Sequence, residues 1–199
     1  MAITINGNGT VTGISVGGLP DGIVDTDMLA AGAATQTKRT YAAGEIIQTK
    51  FYNSTTQTSN NSNTTPTTII SGAITPTNSS NKILITYHTQ VSYNNGQQHC
   101  HVQIMKAGSV IDAARGSSSD GSISANGNKV IYIASTDNNN RTGVSGSYFD
   151  IGGSTSAITY SIGINVNGSS TSYYCHANRS DSSTGYGSST ELILTEVAV

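Results

Sequence analysis

Apolar side chains recur at every second position along much of this chain, and this period limits the folds that the chain can adopt. The longest example is the segment ITYSIGINV, in which Ile158, Tyr160, Ile162, Ile164 and Val166 alternate with small or polar residues. A period of two places all of these side chains on one face of a β-strand. After residue 40 no segment shows the longer period that marks a helix. The sequence therefore predicts an all-β fold.

Further segments repeat this pattern between turns rich in Gly, Asn and Ser, so a series of short strands is predicted. The segments are 45–52, 69–74, 82–92, 98–106, 129–134, 147–151, 157–166, 172–177 and 190–197. Short strands at this spacing are typical of a β-sandwich or jelly roll. The Ser/Thr/Asn tract 53–68 fits either an edge strand or a loop. Asn94-Asn95-Gly96 predicts a hairpin turn, and the polar run 137–141 predicts a hairpin tip.

The first 40 residues differ in composition from the rest. Glycines break them into short extended pieces, which are followed by a Leu-Pro-Asp-Gly turn and a short capped helical piece. This stretch has too few large apolar residues for a core of its own, so we expect it to become ordered against another protein. The residues expected to make that contact are Leu19, Pro20, Asp25, Met28 and Leu29. The predicted organisation is an attachment segment, 1–40, and a head domain, 41–199.

Charged side chains make up only 10% of the sequence, and the formal net charge is −2. Nucleic-acid binding needs a clustered basic surface, which the nine Lys and Arg residues do not form along the sequence. The apolar runs are too short for a transmembrane helix, and the first residues do not resemble a secretory signal. We therefore expect no nucleic-acid binding, no membrane insertion and assembly in a cytoplasm. Because that compartment is reducing, Cys100 and Cys175 are predicted to be free thiols.

The patterns that carry enzyme chemistry are weak here, so no catalytic residue is predicted. GISVG at 13–17 matches the G-x-S-x-G nucleophile pattern, but that pattern needs a surrounding α/β sheet. The acidic residues are scattered rather than paired as glycan hydrolysis requires. His99 and His101 share a strand face, where they either offer two nitrogens to a metal or are polar-face residues beside a core cysteine. We expect the second arrangement, with no metal and no cofactor.

Tyrosine dominates the aromatic residues of the chain, with ten Tyr, two Phe and no Trp. Tyr87, Tyr132 and Tyr160 lie in apolar alternation and are predicted to pack in the core or between subunits. Tyr174 and His176 share one face of a predicted strand, where their rings could stack on a sugar or pack on a neighbouring subunit.

Three Ser/Asn/Gly-rich tracts, 116–128, 138–141 and 178–187, are the loops in which we expect binding to reside. In the last of them a bidentate donor, a carboxylate acceptor and a stacking ring come together, which suits a glycan. The same tract also fits a solvated hairpin end. The residues predicted to contact a receptor are Tyr174, His176, Arg179, Asp181 and Tyr186.

Four segments, in order, resemble the C-terminal head domains of bacteriophage fibre proteins. They are ISGAITPTNSSNKILITYHTQVS, HVQIMKAGSVI, SYFDIGGSTSAITYSIGI and SSTELILTEV. The second contains a hairpin motif with Lys106, where many relatives have Arg. The opening stretch TGISVGGLPDGIVDTDMLAAGA resembles N-terminal segments of short fibre and related structural proteins of marine and cyanobacterial phages. No long shaft separates the two parts.

This resemblance implies a trimeric jelly-roll head of the type shared with the C1q and tumour-necrosis-factor group, and an N-terminus anchored to other virion proteins. The expected function is that of a tail-fibre-type virion protein, assembled in the host cytoplasm, whose head binds a receptor such as a host surface glycan. The alternative is a capsid decoration or head-fibre protein that stabilises the particle without receptor contact, because fold does not fix function. An enzyme acting on surface polysaccharide is disfavoured by the scattered acidic residues.

Overall fold

The computed structural model describes residues 4–5, 11–12, 39–94, 98–114, 129–133, 141–166, 174–179 and 187–199. The chain divides into two units, Met1–Tyr41 and Ala42–Val199. In the first unit, strand β1 (Thr4–Ile5) pairs antiparallel with β2 (Val11–Thr12). The residues predicted to attach the chain to a particle lie outside the described residues; they are Leu19, Pro20, Asp25, Met28 and Leu29.

The larger unit is all-β, as the alternation predicted. Its strands in chain order are β3 (Ile46–Ser54), β4 (Thr58–Asn60), β5 (Thr67–Ile74), β6 (Lys82–Asn94), β7 (Gln98–Lys106), β8 (Ser109–Val110), β9 (Lys129–Ile133), β10 (Arg141–Ile151), β11 (Ile158–Val166), β12 (Tyr174–Ala177) and β13 (Thr190–Val197). A 3₁₀ turn, Asp112–Ala114, follows β8. The described strands pair antiparallel in two sheets, which we call the front sheet and the back sheet.

The front sheet is built around the long strand β6. β10 runs along one edge of β6, from Arg141 opposite Ser92 to Ile151 opposite Lys82. β13 and β12 lie end to end along the other edge, with β3 outside β13 and β4 outside β12. The short strands β12 and β4 therefore sit at the end of the sheet where β6 finishes.

The back sheet has the order β5, β11, β7, and the far edge of β7 carries β9 and β8. β7 turns into β8 through Ala107 and Gly108, which have positive φ angles of 50° and 82°. A two-residue type I′ hairpin needs this left-handed backbone at both positions. The hairpin motif that contains Lys106 is thus found as a hairpin in the structure.

Four strand pairs are nested within one another along the chain. β3 pairs with β13, β5 with β11, β6 with β10 and β7 with β9. The first of these eight strands therefore pairs with the last, and each later pair lies inside the one before it. Successive pairs alternate between the front sheet and the back sheet.

The core lies between the two sheets and consists mainly of the alternating apolar side chains. Those of β11 are all buried, namely Ile158, Tyr160, Ile162, Ile164 and Val166. They pack with buried aliphatic side chains of β5, β6, β7 and β13. Burial of each large side chain contributes roughly 1.5–3 kcal/mol. The predicted period is confirmed, and Tyr87 is buried in the same core, whereas the side chain of Tyr132 lies outside the described part of the chain.

The tract 53–68 is partly strand and partly loop. β3 continues to Ser54, and Thr58–Asn60 forms the edge strand β4. The Asn60 side chain then organises the following turn, because its amide donates to the carbonyl of Thr65 (2.8 Å) and its oxygen accepts from the backbone N–H of Ser62 (2.5 Å). Such side-chain bonds to nearby backbone are the reason asparagine favours turns.

Two predicted hairpins are wrong. The strands on either side of Asn94-Asn95-Gly96 are β6 of the front sheet and β7 of the back sheet. Likewise, the run 137–141 connects β9 of the back sheet to β10 of the front sheet. Turn residues predict that the chain reverses, but they do not determine whether the next strand joins the same sheet.

The prediction of free thiols is also contradicted. Cys100 on β7 and Cys175 on β12 form a disulfide, with Cα atoms 5.5 Å apart. The two side chains point into the core from opposite sheets and are fully buried. The fold thus brings together two residues that are 75 positions apart in the sequence, a proximity that reasoning from the cellular compartment does not reveal.

His101 lies on the outer, polar face of the back sheet, as predicted, but it is buried there. Its side chain is 1% exposed, on the outer side of the back sheet. Neighbouring outward side chains are buried with it: Gln103 donates to Asn165 (2.6 Å), and Asn165 donates to the carbonyl of Asn63 (3.3 Å). The chain after β4 therefore covers this part of the back sheet. The side chain of His99 lies outside the described residues.

Candidate functional site

Three of the predicted receptor-contact residues lie on or just after the short strand β12. Tyr174 and His176 point to the outer side of the front sheet and are half-buried. Their rings stack on each other, with centroids 5.9 Å apart and planes inclined by 24°. Arg179 follows two residues after the end of the strand. Asp181 and Tyr186 lie outside the described residues.

β12 is held from both edges and from the inside. It pairs with residues 58–60 of β4 on one edge and 91–94 of β6 on the other. Its inward side chains, Cys175 and Ala177, are fully buried. Because Cys175 is bonded to Cys100, the strand that carries the two rings is tied covalently to the back sheet.

Asn178 anchors the chain immediately after β12, a role that the sequence analysis missed. Its φ is +53°, which asparagine tolerates better than most residues. Its buried amide donates to the carbonyls of Ser54 (3.1 Å) and Thr56 (3.2 Å), and its oxygen accepts from the Thr190 hydroxyl (2.9 Å). The Thr190 hydroxyl also lies 2.7 Å from that of Thr89. The usable sequence signal was an asparagine directly following a predicted strand.

The imidazole of His176 is neutral at neutral pH. Burial lowers its pKa below the usual 6.5, and the nearby positive charge of Arg179 lowers the pKa further. A neutral imidazole donates one hydrogen bond and accepts one. The site therefore presents a pair of stacked, half-buried rings, a neutral imidazole whose Nδ1 is buried, and a guanidinium within six residues of chain. These groups are suited to binding rather than to covalent chemistry.

A second surface lies on the same outer face of the front sheet. It consists of large apolar side chains on β3, β6, β10 and β13, and we call it the front-sheet patch: Ile46, Phe51, Leu84, Phe149, Ile151 and Ile193. Phe51 is 74% exposed and Phe149 is 53% exposed. The strand register places Phe51 opposite Ile193 and Phe149 opposite Leu84. A gathering of exposed apolar side chains on one sheet face is typical of a surface that contacts another protein.

A groove of about 290 Å³ runs beside this patch and is lined by Phe51, Tyr52, Asn53, Glu191 and Ile193. The ring pair lies on the same face but nearer the other end of β6, where His176 is opposite Ser92. The front sheet therefore has an apolar region and a more polar, aromatic region on a single face. Sequence reasoning did not place these two sets of residues together.

A polar cluster joins the two sheets and draws its residues from the segments HVQIMKAGSVI and SYFDIGGSTSAITYSIGI. Lys106 Nζ donates to Asp150 (2.7 Å) and to the carbonyl of Ile151 (3.0 Å). The hydroxyl of Tyr160 donates to the same carboxylate oxygen of Asp150 (2.6 Å). Burial, together with the hydrogen bond and the charge of Asp150, raises the pKa of Tyr160, so the hydroxyl remains a donor. Lys106, Asp150 and Tyr160 thus hold β10 against β7 and β11.

The described residues contain no group of three or more His, Cys, Asp or Glu side chains arranged to bind a metal ion. In the same part of the chain, no helix is long and apolar enough to cross a membrane. No protein-family model matches this sequence, and no curated protein is similar enough to it to count as a relative.

Proposed function

We propose that this chain is a non-catalytic structural protein of a bacteriophage virion, of the tail-fibre type. Its β-sandwich acts as a trimeric head that binds a receptor, and residues 1–40 attach it to other virion proteins. The resemblance of four segments to phage fibre heads supports the virion role, and assembly then takes place in the host cytoplasm.

The nested strand pairing supports a jelly-roll head. In a jelly roll, eight strands are wound so that the first pairs with the last and the inner pairs alternate between two sheets. β3–β13, β5–β11, β6–β10 and β7–β9 have this relation. This fold is the one that the resemblance to heads of the C1q and tumour-necrosis-factor type implies.

The front-sheet patch supports a trimer. A monomer that left Phe51 and Phe149 in water would expose apolar surface that a symmetric partner can cover. In a threefold ring each subunit contacts its neighbours through two different surfaces, so this patch would pack against another face of the adjacent copy.

The single observation that carries receptor binding is the stacked pair of Tyr174 and His176 beside Arg179. Aromatic rings at a surface can pack on the apolar faces of sugars, and a guanidinium donates two hydrogen bonds to vicinal oxygens. A host surface glycan is therefore the receptor class that these groups fit. Asp181 and Tyr186 follow in the same sequence tract.

Adsorption of phage to host cells tests this function. We expect a triple variant, with Tyr174→Ala, His176→Ala and Arg179→Ala, to lower adsorption at least about tenfold, the effect of losing about 1.4 kcal/mol of binding free energy. The particle must retain the protein at the wild-type level, which quantitative gel analysis of purified virions establishes. Unchanged adsorption by such particles would remove the receptor-binding proposal.

A capsid decoration or head-fibre protein is the second candidate, and one observation favours it. The ring pair lies on the same face of the front sheet as the front-sheet patch, so a neighbouring subunit that covers this face also approaches the rings. Immunogold electron microscopy of intact particles distinguishes the candidates, because a tail-fibre protein places gold at the tail and a decoration protein places it over the capsid.

A further inference from the structure

The Cys100–Cys175 disulfide lies directly beneath the ring pair. Cys175 occupies the middle of β12, and both sulfur-bearing side chains are 0% exposed. The residues on either side of it, Tyr174 and His176, point to the outer face. The bond therefore fixes the strand whose other side presents the candidate binding surface.

Without this bond, β12 is held by its backbone pairing with β4 and β6 and by the side-chain hydrogen bonds of Asn178 directly after it. The strand is four residues long, and its outer neighbour β4 has only three residues. Apart from the cysteine, its inward side chain is Ala177, which buries little apolar surface. Short strands with little apolar contact belong to the parts of a protein that open locally without global unfolding.

We propose that Cys100 and Cys175 form a redox switch for the surface that carries Tyr174 and His176. The chain folds with both thiols reduced, and in this state β12 opens and closes while the rest of the sandwich stays folded. Oxidation then fixes β12 in the closed position.

The oxidant for this step is a small-molecule disulfide such as oxidised glutathione. The thiolate of one cysteine attacks a glutathione sulfur, so that the glutathione S–S bond breaks and one glutathione thiolate leaves with the electron pair. The second cysteine thiolate attacks the mixed disulfide, forms the Cys100–Cys175 bond and displaces the second glutathione thiolate. The protein loses two protons and two electrons, and the glutathione disulfide gains the two electrons.

Burial makes the switch asymmetric. In the reduced chain, each opening of β12 exposes the thiols to the oxidant. In the oxidised chain, the bond itself keeps β12 closed, and a reductant must reach a sulfur that is fully buried. The oxidised state is therefore reached readily and lost slowly.

The switch does not depend on the proposed virion function, although a particle released from a reducing cytoplasm into an oxidising medium would undergo this change.

Hydrogen exchange of the full-length chain, followed by mass spectrometry, tests the proposal. After reduction under native conditions we expect the amides of β12 to exchange at least about tenfold faster, while those of β13 and of 82–88 in β6 keep their protection. In thiol assays, the oxidised native chain should be reduced at least about tenfold more slowly than the same chain in urea.

A double variant, Cys100→Ala with Cys175→Ala, is the matched control. It should exchange like the reduced wild-type chain and should not respond to reductant. If β12 stays as protected after reduction as before, Asn178 and the strand pairing hold it alone, and the switch is wrong. It is equally wrong if β12 and β13 lose protection together, because the disulfide then stabilises the whole unit. None of these measurements involves receptor binding, and the reduced and oxidised chains are compared at one concentration, so they can fail independently of the proposed function.

Discussion

At the scale of single residues, Glu196 shows how this fold keeps a buried charge. Its side chain is fully buried. It accepts hydrogen bonds from Gln48 Nε2 (2.7 Å), from the backbone N–H and the hydroxyl of Thr77 (2.7 and 2.8 Å) and from Asn81 Nδ2 (2.7 Å). Burial alone would raise the pKa of Glu196, but the hydrogen bonds from Asn81, Gln48 and Thr77 outweigh it and lower the pKa. The carboxylate thus joins the 75–81 turn to β13 and β3.

Glu196 should make stability depend on pH in the acid range. Because its pKa is lower in the folded chain than the usual 4.5, its contribution is fully present above that value and is lost as the pH falls through the folded pKa. We expect Glu196→Gln to cost about 1–3 kcal/mol near neutral pH, since the NH2 end of the new side chain faces hydrogen-bond donors where Glu196 has an acceptor oxygen. Urea denaturation near neutral pH and near pH 4 should show a smaller loss of stability on acidification in the variant than in the wild type.

Glu191→Gln is the matched control for this measurement, because Glu191 is an exposed carboxylate on the same strand. It should leave the stability nearly unchanged, within about 0.5 kcal/mol, because the position is exposed. An acid dependence that is the same in Glu196→Gln as in the wild type would show that other groups are responsible for it.

At the scale of secondary-structure elements, the position of β12 depends on Asn178 as well as on the disulfide. Asn178→Gly keeps a residue that adopts positive φ freely but removes three side-chain hydrogen bonds, and we expect it to cost about 1–3 kcal/mol. Asn178→Ala removes the same bonds and adds the strain of a left-handed backbone, about 1 kcal/mol more. Urea denaturation should therefore rank the wild type first, Asn178→Gly second and Asn178→Ala last. Equal stability of all three chains would contradict the anchoring role.

The strands could be predicted from the sequence, but their partners could not. The segments predicted from the period of two match the observed bounds of β11 nearly to its ends and those of β13, 190–197, at both ends. The match is close because a strand with one buried face must alternate apolar and polar side chains. Pairing is decided by contacts between distant segments. A local motif such as Asn94-Asn95-Gly96 therefore wrongly predicted a hairpin between strands of different sheets.

The same limit applies to the candidate site. Alternation correctly placed Tyr174 and His176 on one face, and the structure adds that the two rings stack on each other. The disulfide beneath them and the network around Asn178 involve residues far apart in sequence. Reasoning from composition and local pattern could not bring these residues together.

At the scale of the whole molecule, the outer face of the front sheet carries both an apolar region and the ring pair. The front-sheet patch lies opposite residues 82–86 of β6, and the ring pair lies opposite 92–94. In a trimer whose subunit contact covers the front-sheet patch, β12 would lie at the edge of that contact, next to the solvent. Under the proposed function, changes in subunit packing would therefore alter the surroundings of the proposed receptor site.

The oligomeric state gives the most direct test of this arrangement. We expect the full-length chain to behave as a trimer in light scattering coupled to gel filtration, and the double variant Phe51→Asp with Phe149→Asp to run as smaller species at the same concentration. The reason is that an unpaired carboxylate buried in an apolar contact costs several kcal/mol. In the monomer both positions are exposed, so circular dichroism and thermal unfolding should show that the variant is folded.

Thr159→Asp, at an exposed position on the outer side of the back sheet, is the control and should remain trimeric. A folded double variant with the mass of the wild type would place the subunit contact elsewhere, and a wild-type chain that stays monomeric over the accessible concentrations would exclude the trimer.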